Sequence, residues 1–258
     1  MPPFLTVALP VHNEGECIRA VVNEIIETLD AAGIVYEIIA VDDGSTDSTP
    51  AILNSFAPRV RVVTLPRNLG QSAALGRGIR EARGAFICTM DSDGQNDPRD
   101  IPRCLAALES SGADACLGWR EKRRDTFSKR IASKFANSVR RALLRDGARD
   151  TGCSMRVIRA EYLKALQVWR GMHRFLPALV KALGAKIVQI PVNHRPRAGG
   201  KSHYSNFRRL LVTIRDLRGV RWMVSRMVKI DNIDNVDNVD NVDNVEIIDS
   251  IDSVDKTP

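Results

Sequence analysis

The strongest chemical signal in the sequence is a pair of carboxylates two residues apart, Asp91 and Asp93, directly after a short apolar segment. Both can reach one hard divalent cation from the same loop, and Mg²⁺ and Mn²⁺ prefer oxygen ligands that substrate phosphates often complete. Gln95 offers a third oxygen. We therefore predict a Mg²⁺ or Mn²⁺ site at Asp91, Asp93 and Gln95. The structural alternative is the start of a helix, since Asp97 before Pro98 is typical of an N-cap.

A second acidic turn, residues 42–47, also follows an apolar segment. Its carboxylates suit recognition of a base N–H or of ribose hydroxyls, and Gly44 permits close approach of the backbone. The structural alternative is a strand-to-helix turn capped by Ser45 or Asp47. Both interpretations can hold together, because the cap needs only one of these side chains. Asp42 and Asp43 are therefore candidate nucleotide contacts.

A third polar turn, residues 10–14, ends the first apolar segment. A short acidic turn of this kind can hold the base or the ribose of a nucleotide, so Pro10, His12 and Glu14 are candidate contacts. A lone histidine such as His12 is more often a surface or packing residue, and both roles stay open for it.

These polar turns interrupt a regular alternation of strand and helix patterns. Short apolar segments predict strands at 4–9, 37–41, 60–65, 85–90 and 114–118. Amphipathic spacing predicts helices at 18–29, 48–56, 71–83 and 98–110. This alternation indicates an α/β protein with a doubly wound, mostly parallel sheet. Ligands of such sheets bind beyond the carboxyl ends of the strands, where the polar turns are expected to meet.

The second half of the chain is more basic. Residues 120–149 hold eleven lysines or arginines and three acids, and they are predicted to be largely helical. Further strands are predicted at 155–158 and 186–192. Residues 205–229 predict an amphipathic helix whose apolar stripe consists of Phe207, Leu210, Leu211, Ile214 and Leu217. Such an arginine-rich helix suits an anionic membrane surface, and packing on the folded body is the structural alternative.

An acidic tail follows, in which an Ile/Val-Asp-Asn unit repeats. A period of three matches neither a strand nor an α-helix, so the tail is predicted to be disordered. We expect a folded body at 1–204, a membrane-surface helix at 205–229 and the tail at 230–258. The tail carries −8 in a chain of net charge +7, so the other 229 residues carry +15. A body this basic is expected to meet an anionic partner.

The composition argues against membrane-spanning, secreted and nucleic-acid-binding proteins. No run of 18 apolar residues occurs, and the N-terminus enters a strand rather than a leader, so neither a transmembrane helix nor a signal peptide is expected. The five cysteines contain no C-x-x-C pair, which fits a reducing cytoplasm. With 5% aromatic residues and no recognised nucleic-acid module, no nucleic-acid partner is expected.

The polar segments also occur in the order found in one enzyme family. The segments concerned are 10–14, 42–47, 67–70, 91–98, 150–153 and 200–202. Over roughly residues 4–228 the chain resembles the family 2 glycosyltransferases, specifically the dolichyl- and undecaprenyl-phosphate branch (dolichol-phosphate mannosyltransferase-like). The resemblance implies a GT-A fold, a UDP- or GDP-linked sugar donor, a divalent metal, and a polyprenyl phosphate acceptor at the cytoplasmic face of a membrane.

Position by position, the resemblance implies roles for individual residues. The nucleotide is lined by Pro10, His12, Glu14 and Asp43. The metal is faced by Asp91, Asp93 and Gln95. The acceptor phosphate is bound by Arg120, Arg130 and Ser133. A basic segment that closes over the donor diphosphate contains Arg197 and Lys201. The candidate catalytic residues are Asp91, Asp93, Arg120 and Arg130.

The implied chemistry is consistent with a basic body that carries one acidic metal loop. A phosphate monoester is already largely ionised at neutral pH, with a second pKa of about 6, and needs no strong base. A cation and basic side chains offset its repulsion from the donor diphosphate and the charge that grows on the leaving group. The alternative within the family is transfer to a saccharide or another soluble acceptor, which needs a carboxylate base. The basic stretch 120–149 favours the phosphate acceptor.

Overall fold

A computed structural model of the protein describes residues 3–121, 140, 143–196 and 206–230, and for 206–214 it describes the backbone. Within these residues the strands are β1 (Leu5–Val11), β2 (Tyr36–Asp42), β3 (Val60–Thr64), β4 (Phe86–Thr89), β5 (Ala115–Arg120), β6 (Arg156–Arg159) and β7 (Ile187–Val192). They form one sheet in the order β3-β2-β1-β4-β6-β5-β7.

The first four helices and the last one of the described residues lie close to their predicted places. They are α1 (Ile18–Ala31), α2 (Thr49–Asn54), α3 (Gln71–Glu81), α4 (Asp100–Ser111), α5 (Ala160–Lys164), α6 (Leu176–Ala182) and α7 (Asn206–Val224), with a short 3-10 helix at Met172–Arg174. The cause is clearest in α1, whose buried residues share one helix face and are Ile18, Val21, Val22, Ile25 and Leu29.

Helices cover both faces of the sheet, because alternate strand residues enter two different cores. In β2, Ile38 and Ala40 belong to the core that also contains residues of α1 and α4. Ile39 and Val41 belong to the core that contains residues of α3, α5 and α6. The predicted doubly wound α/β fold with a mostly parallel sheet is therefore confirmed.

The strand order reverses beside β1. This strand pairs in parallel with β2 on one side and with β4 on the other. The chain first runs outward through β2 to β3 and then crosses back to β4. A crevice forms at the carboxyl edge of a sheet where the order reverses, so the turns after β1 and β4 face each other there.

β6 is the exception to the parallel arrangement. It lies antiparallel between β4 and β5, with Arg156 opposite Thr89 of β4 and Leu117 of β5. An antiparallel strand begins at the edge where its parallel neighbours end. The start of β6 therefore delivers Arg156 and the preceding Ser154 to the same edge as the loop after β4.

The described end of α7 packs on the folded body. Leu217 and Val220 are buried in the core that contains α6, and Met223 and Val224 pack against the same core. The prediction that the apolar stripe lies on a membrane is thus wrong for Leu217, because this side chain is already removed from water by the core of the folded body. The side chains of Phe207, Leu210, Leu211 and Ile214 lie outside the described residues.

Two predicted segments lie wholly or almost wholly outside the described residues, namely the centre of the basic stretch at 122–139 and the acidic tail beyond residue 230. The division into body, surface helix and tail therefore stays a prediction. Of the helices that the structure describes, none has the length and apolar character needed to cross a bilayer.

Candidate active site

Asn96 holds the loop after β4 in place. Its Oδ1 accepts hydrogen bonds from the Asp91 amide at 3.0 Å and from Ser154 Oγ at 2.9 Å. The same loop is tied to the turn after β1, because Ser92 Oγ donates to the Pro10 carbonyl at 2.9 Å. The predicted metal loop and the first predicted nucleotide turn therefore form one rim.

The two carboxylates of this loop repel each other. Burial raises the pKa of Asp91, and the negative charge of Asp93 raises it further. Ser154, Arg156 and Arg120 act in the opposite direction. A divalent cation would relieve the repulsion, and two carboxylates in one loop are a donor set that Mg²⁺ or Mn²⁺ accepts. The residues present therefore fit the predicted metal.

Gln95, the predicted third ligand, is anchored on residue 195. Its backbone N–H donates to Asp93 Oδ1 at 3.1 Å, and its Nε2 donates to the Arg195 carbonyl at 3.4 Å. The described part of the chain holds no group of three or more His, Cys, Asp or Glu side chains arranged for a metal ion. Further ligands would come from the Gln95 amide oxygen, substrate phosphates or water, and the role of Gln95 stays a prediction.

Asp97 takes part in a turn before α4 and in ion pairs. Its Oδ1 accepts from the Arg99 backbone N–H at 3.1 Å and pairs with Arg195 Nη2 at 2.9 Å. The helix itself begins at Asp100, three residues after the predicted cap. The Arg195 link matters for the site, because it holds the segment after β7 against the metal loop.

Asp43 has a structural role in the turn after β2. Its two carboxylate oxygens accept the backbone N–H groups of Leu69 and Gly70 at 2.7 and 2.8 Å, and the residue is only 3% exposed. Gly44, at φ +67°, packs on the same segment, since a Cβ there would lie 2.6 Å from the Arg67 carbonyl carbon. The close approach expected at Gly44 is thus made by the chain itself, and nucleotide contact by Asp43 stays a prediction.

The expected turn cap is present as well. Asp47 Oδ1 accepts from the Thr49 backbone N–H at 2.9 Å, at the first residue of α2. Its other oxygen accepts from the Gly15 N–H at 3.0 Å. Asp42 Oδ1 accepts from the Ser45 N–H at 2.9 Å. Asp47 therefore satisfies the first N–H of α2, although the N-cap position is Ser48, whose side chain makes no cap hydrogen bond, and Asp42 closes the tight turn at the end of β2.

His12 is fixed between the turns after β1 and β2. Its Nδ1 donates to the Asp43 carbonyl at 2.9 Å, and its Nε2 lies 3.4 Å from Asn13 Nδ2. The Glu14 backbone N–H donates to Thr49 Oγ1 at 2.9 Å. Pro10, His12 and Glu14 thus lie together where β1 ends, and their contacts with a nucleotide stay a prediction.

Arg120, the predicted acceptor residue at the end of β5, is held by Asp150. Arg120 Nε donates to Asp150 Oδ2 at 2.7 Å and Nη2 donates to Oδ1 at 3.0 Å. Asp150 also accepts the Gly152 N–H at 3.1 Å, which closes its own turn. The other predicted basic or acceptor residues, Arg130, Ser133, Arg197 and Lys201, lie outside the described residues.

Sequence reasoning missed Arg156. This residue is 4% exposed, and its guanidinium donates to the Thr151 carbonyl at 2.9 Å and to the His173 carbonyl at 3.1 Å. Its charge acts on Asp91 and Asp150. The available signal was a single arginine in an apolar strand pattern, but only the antiparallel direction of β6 shows that it lies at the site.

Sequence reasoning also missed the first turn of α3. Gln71 Nε2 donates to Asp91 Oδ1 at 2.7 Å. The next residue, Ser72, lies with its Oγ 2.7 Å from His173 Nδ1. Residues 67–70 carried the resemblance, but the two polar residues after them fall inside a helix pattern. Their position at the metal loop is a consequence of the packing of α3 beside β1.

A doubly wound sheet with a carboxylate pair beyond β4 and polar turns after β1 and β2 is the architecture of the GT-A glycosyltransferases. Solved structures agree. Glucosyl-3-phosphoglycerate synthase from Mycobacterium tuberculosis, in complex with Mn²⁺, uridine diphosphate and phosphoglyceric acid, is similar with a TM-score of 0.66 at 21% identity, over 87% of this chain and 79% of that one.

The family model of glycosyl transferase family 2 matches residues 6–167, and the chain belongs to this family. A dodecaprenyl-phosphate galacturonate synthase of Rhizobium johnstonii is 36% identical over 85% of this chain and 67% of its own length. An undecaprenyl-phosphate 4-deoxy-4-formamido-L-arabinose transferase of Edwardsiella ictaluri is 34% identical over 78% of this chain and 63% of its own. The chain thus spans about two thirds of the length of these relatives. The family resemblance seen in the sequence is confirmed.

Proposed function

We propose that the protein transfers a sugar from a nucleoside diphosphate sugar to a polyprenyl phosphate, with Mg²⁺ or Mn²⁺ as its metal. The observation that carries the proposal is the meeting of the Asp91–Asp93 pair with two arginines, Arg120 and Arg156, at one edge of the sheet. Its relatives named as polyprenyl-phosphate sugar enzymes support the lipid acceptor.

The donor is bound at the crevice between β1 and β4. Pro10, His12 and Glu14 lie along the nucleotide side, with Asp42 and Asp43 behind them. Asp91 and Asp93 hold the divalent cation, which when bound offsets the charge of the diphosphate leaving group. The predicted basic residues Arg197 and Lys201 come soon after Arg195 in the sequence, and we assign them to the donor diphosphate.

The acceptor phosphate binds on the β5 side. Arg120 is oriented by its two-point ion pair with Asp150, so its guanidinium is placed before the phosphate arrives. Arg130 and Ser133, which lie outside the described residues, are assigned to the same phosphate from the sequence alone. The phosphate is already ionised and attacks the anomeric carbon directly, which breaks the bond to the diphosphate and inverts the anomeric centre.

The outer face of α7 brings the active site to the cytoplasmic face of the membrane. Trp222 is 67% exposed, although the other side of this helix is packed on the body. The exposed basic residues of this helix are Arg215, Arg218 and Arg221, and the exposed Arg226 and Lys229 follow its end. Aromatic and basic side chains on one outward face suit the interface of an anionic bilayer.

The test is a transfer assay with the purified protein and Mn²⁺. Donors are UDP-glucose, UDP-GlcNAc, UDP-galacturonate and GDP-mannose, and the acceptor is a short polyprenyl phosphate, with the product detected by mass. Asp91→Asn and excess EDTA serve as controls, and both are expected to abolish the product. A product formed only with a soluble acceptor, such as a free saccharide or 3-phosphoglycerate, would overturn the lipid acceptor and favour the alternative within the family.

A further inference from the structure

A polar cluster that the proposed mechanism does not use lies beside the metal loop. It consists of Ser72, Gly171 and His173, and we call it the histidine cluster. Ser72 Oγ lies 2.7 Å from His173 Nδ1, and the Gly171 backbone N–H donates to the same Oγ at 3.0 Å. Among the described residues the Ser72 hydroxyl has two neighbours, and since the Gly171 N–H can only donate, Nδ1 is the acceptor available to the Ser72 hydrogen. The ring hydrogen of a neutral His173 is then on Nε2.

The imidazole is both fixed and uncharged. Burial, as the main cause, and the charges of Arg174 and Arg156, as the lesser causes, together lower the pKa of His173 to about 4. Arg156 also donates to the His173 carbonyl at 3.1 Å, which holds the backbone of the 3-10 helix. At physiological pH the ring is therefore a neutral group with a defined orientation.

Two catalytic roles do not fit this cluster. Ser72 resembles an activated nucleophile by its distance to a histidine, but it is 5% exposed, and its Oγ is engaged by Gly171. A ring that binds a proton this weakly is also a poor general base near neutral pH. The arrangement is suited instead to presenting one N–H donor.

The other nitrogen of the ring is available to a ligand. Among the described residues, Nε2 of His173 has no hydrogen-bond partner. It is also not among the side-chain nitrogen atoms of these residues that are fully buried without a partner, so Nε2 is exposed to solvent. Gln71, which precedes Ser72, donates to Asp91 Oδ1 at 2.7 Å. Gln71 therefore links the cluster to a carboxylate that is proposed to hold the metal of the donor diphosphate, to which the transferred sugar is bonded.

We propose that His173 donates its Nε2 hydrogen to a hydroxyl oxygen of the transferred sugar and so helps to select the donor. This inference rests on the proposed function. A neutral N–H recognises an oxygen by position, so it discriminates between sugars that differ in the configuration or presence of that hydroxyl. Ser72 is the positioning residue, because its hydroxyl keeps the ring hydrogen on Nε2.

Binding without turnover gives the direct test. The affinities of UDP and of each UDP-sugar are measured by calorimetry with Mn²⁺ for the wild type and for His173→Phe, which keeps a ring but removes the donor. We expect UDP affinity to change less than twofold, whereas the affinity of the preferred UDP-sugar falls by about two- to tenfold, the range for one hydrogen bond. Equal weakening of UDP and UDP-sugar would overturn the inference.

Ser72→Ala is the matched variant, since it leaves the histidine in place and removes only its orientation. It is expected to weaken UDP-sugar binding, as His173→Phe does, but by a smaller factor. Thermal melting verifies that both variants fold. In the transfer assay, the ratio of kcat/KM between donor sugars should change in His173→Phe while KM for polyprenyl phosphate does not. An unchanged ratio of kcat/KM refutes the role of His173 and leaves the proposed function standing. Absence of lipid-linked product with the wild-type protein refutes the proposed function itself.

Discussion

Asp150 and Arg120 form a two-point ion pair at the end of β5, with 2.7 Å between Arg120 Nε and Asp150 Oδ2 and 3.0 Å between Nη2 and Oδ1. Both side chains are largely buried, at 18% and 7% exposure. A guanidinium held in this way keeps its orientation when no ligand is present, so the pair determines how the acceptor side meets a phosphate.

Replacing either partner of this pair should therefore impair the acceptor. Arg120→Ala and Asp150→Asn are each expected to raise KM for polyprenyl phosphate by roughly tenfold or more, since hydrogen bonds to charged groups contribute about 1.5–3 kcal/mol. KM for the nucleotide sugar should change little. Asp114→Asn is the matched control, because it breaks the ion pair with Arg159 at the other end of β5. Steady-state kinetics with both substrates decide the matter, and a rise confined to the donor KM would contradict the assignment.

Asp91→Asn should abolish metal-dependent activity while it stabilises the metal-free protein at higher pH. The pKa of Asp91 is raised in the folded state by burial and by Asp93, so the folded protein holds this proton above the pH at which the unfolded chain releases it. Wild-type stability is thus lost as pH rises through this range, and the variant escapes the loss. In EDTA, from pH 4 to 8, the melting temperature of Asp91→Asn should increasingly exceed that of the wild type as pH rises. A constant difference between the two melting temperatures would show that the pKa of Asp91 is not raised.

Gly44→Ala should strongly destabilise the fold. The position has φ +67°, and a Cβ would lie 2.6 Å from the backbone of Arg67, which cannot move without breaking the hydrogen bonds to Asp43. We expect a loss of more than about 2 kcal/mol in the free energy of unfolding, from strain and overpacking together. Gly33→Ala is the control, since it has φ +64° and nothing within 4 Å, and should cost about 1–2 kcal/mol. Denaturation with urea compares the two, and equal losses would show that the contact with Arg67 is unimportant.

The transfer should invert the anomeric centre. The acceptor phosphate displaces the diphosphate in one step, and the buried Ser72 is not available for a covalent intermediate. An α-linked donor is expected to give a β-linked lipid product, read from the NMR coupling at the anomeric proton. An α-linked product would require a second displacement and would contradict the mechanism.

The outer face of α7 should hold the protein on anionic vesicles. Each basic side chain near such a surface contributes on the order of 1 kcal/mol, so Arg218→Gln with Arg221→Gln is expected to weaken binding about tenfold or more, and Trp222→Ala to weaken it further. High salt should weaken binding of the wild type. Arg19→Gln on α1, at the opposite face of the sheet, is the control. Sedimentation with liposomes also tests a truncation after Lys229, which should keep or strengthen binding because the acidic tail is removed.

Several features could be predicted from the sequence because they depend on local patterns. The period of apolar residues placed the strands and helices up to β5 within a few residues, and alternation of the two indicated the doubly wound sheet. The polar turns after β1, β2 and β4 could then be assigned to one edge, since parallel strands end there together. The Asp91–Asp93 pair, the Asp47 cap and the family resemblance all rest on residues adjacent in the chain.

The tertiary structure decided what depends on strand direction and packing. Antiparallel β6 brings Arg156 to the metal loop, and no local pattern distinguishes an antiparallel strand from a parallel one of the same composition. The 2.7 Å contact between Ser72 and His173 joins residues 101 positions apart. The hydrogen bonds from the backbone of Leu69 and Gly70 to Asp43 join distant segments, and the apolar side of α7 at Leu217 is covered by the body. Apolar periodicity shows that a face will be buried, but only the folded chain determines which partner buries it.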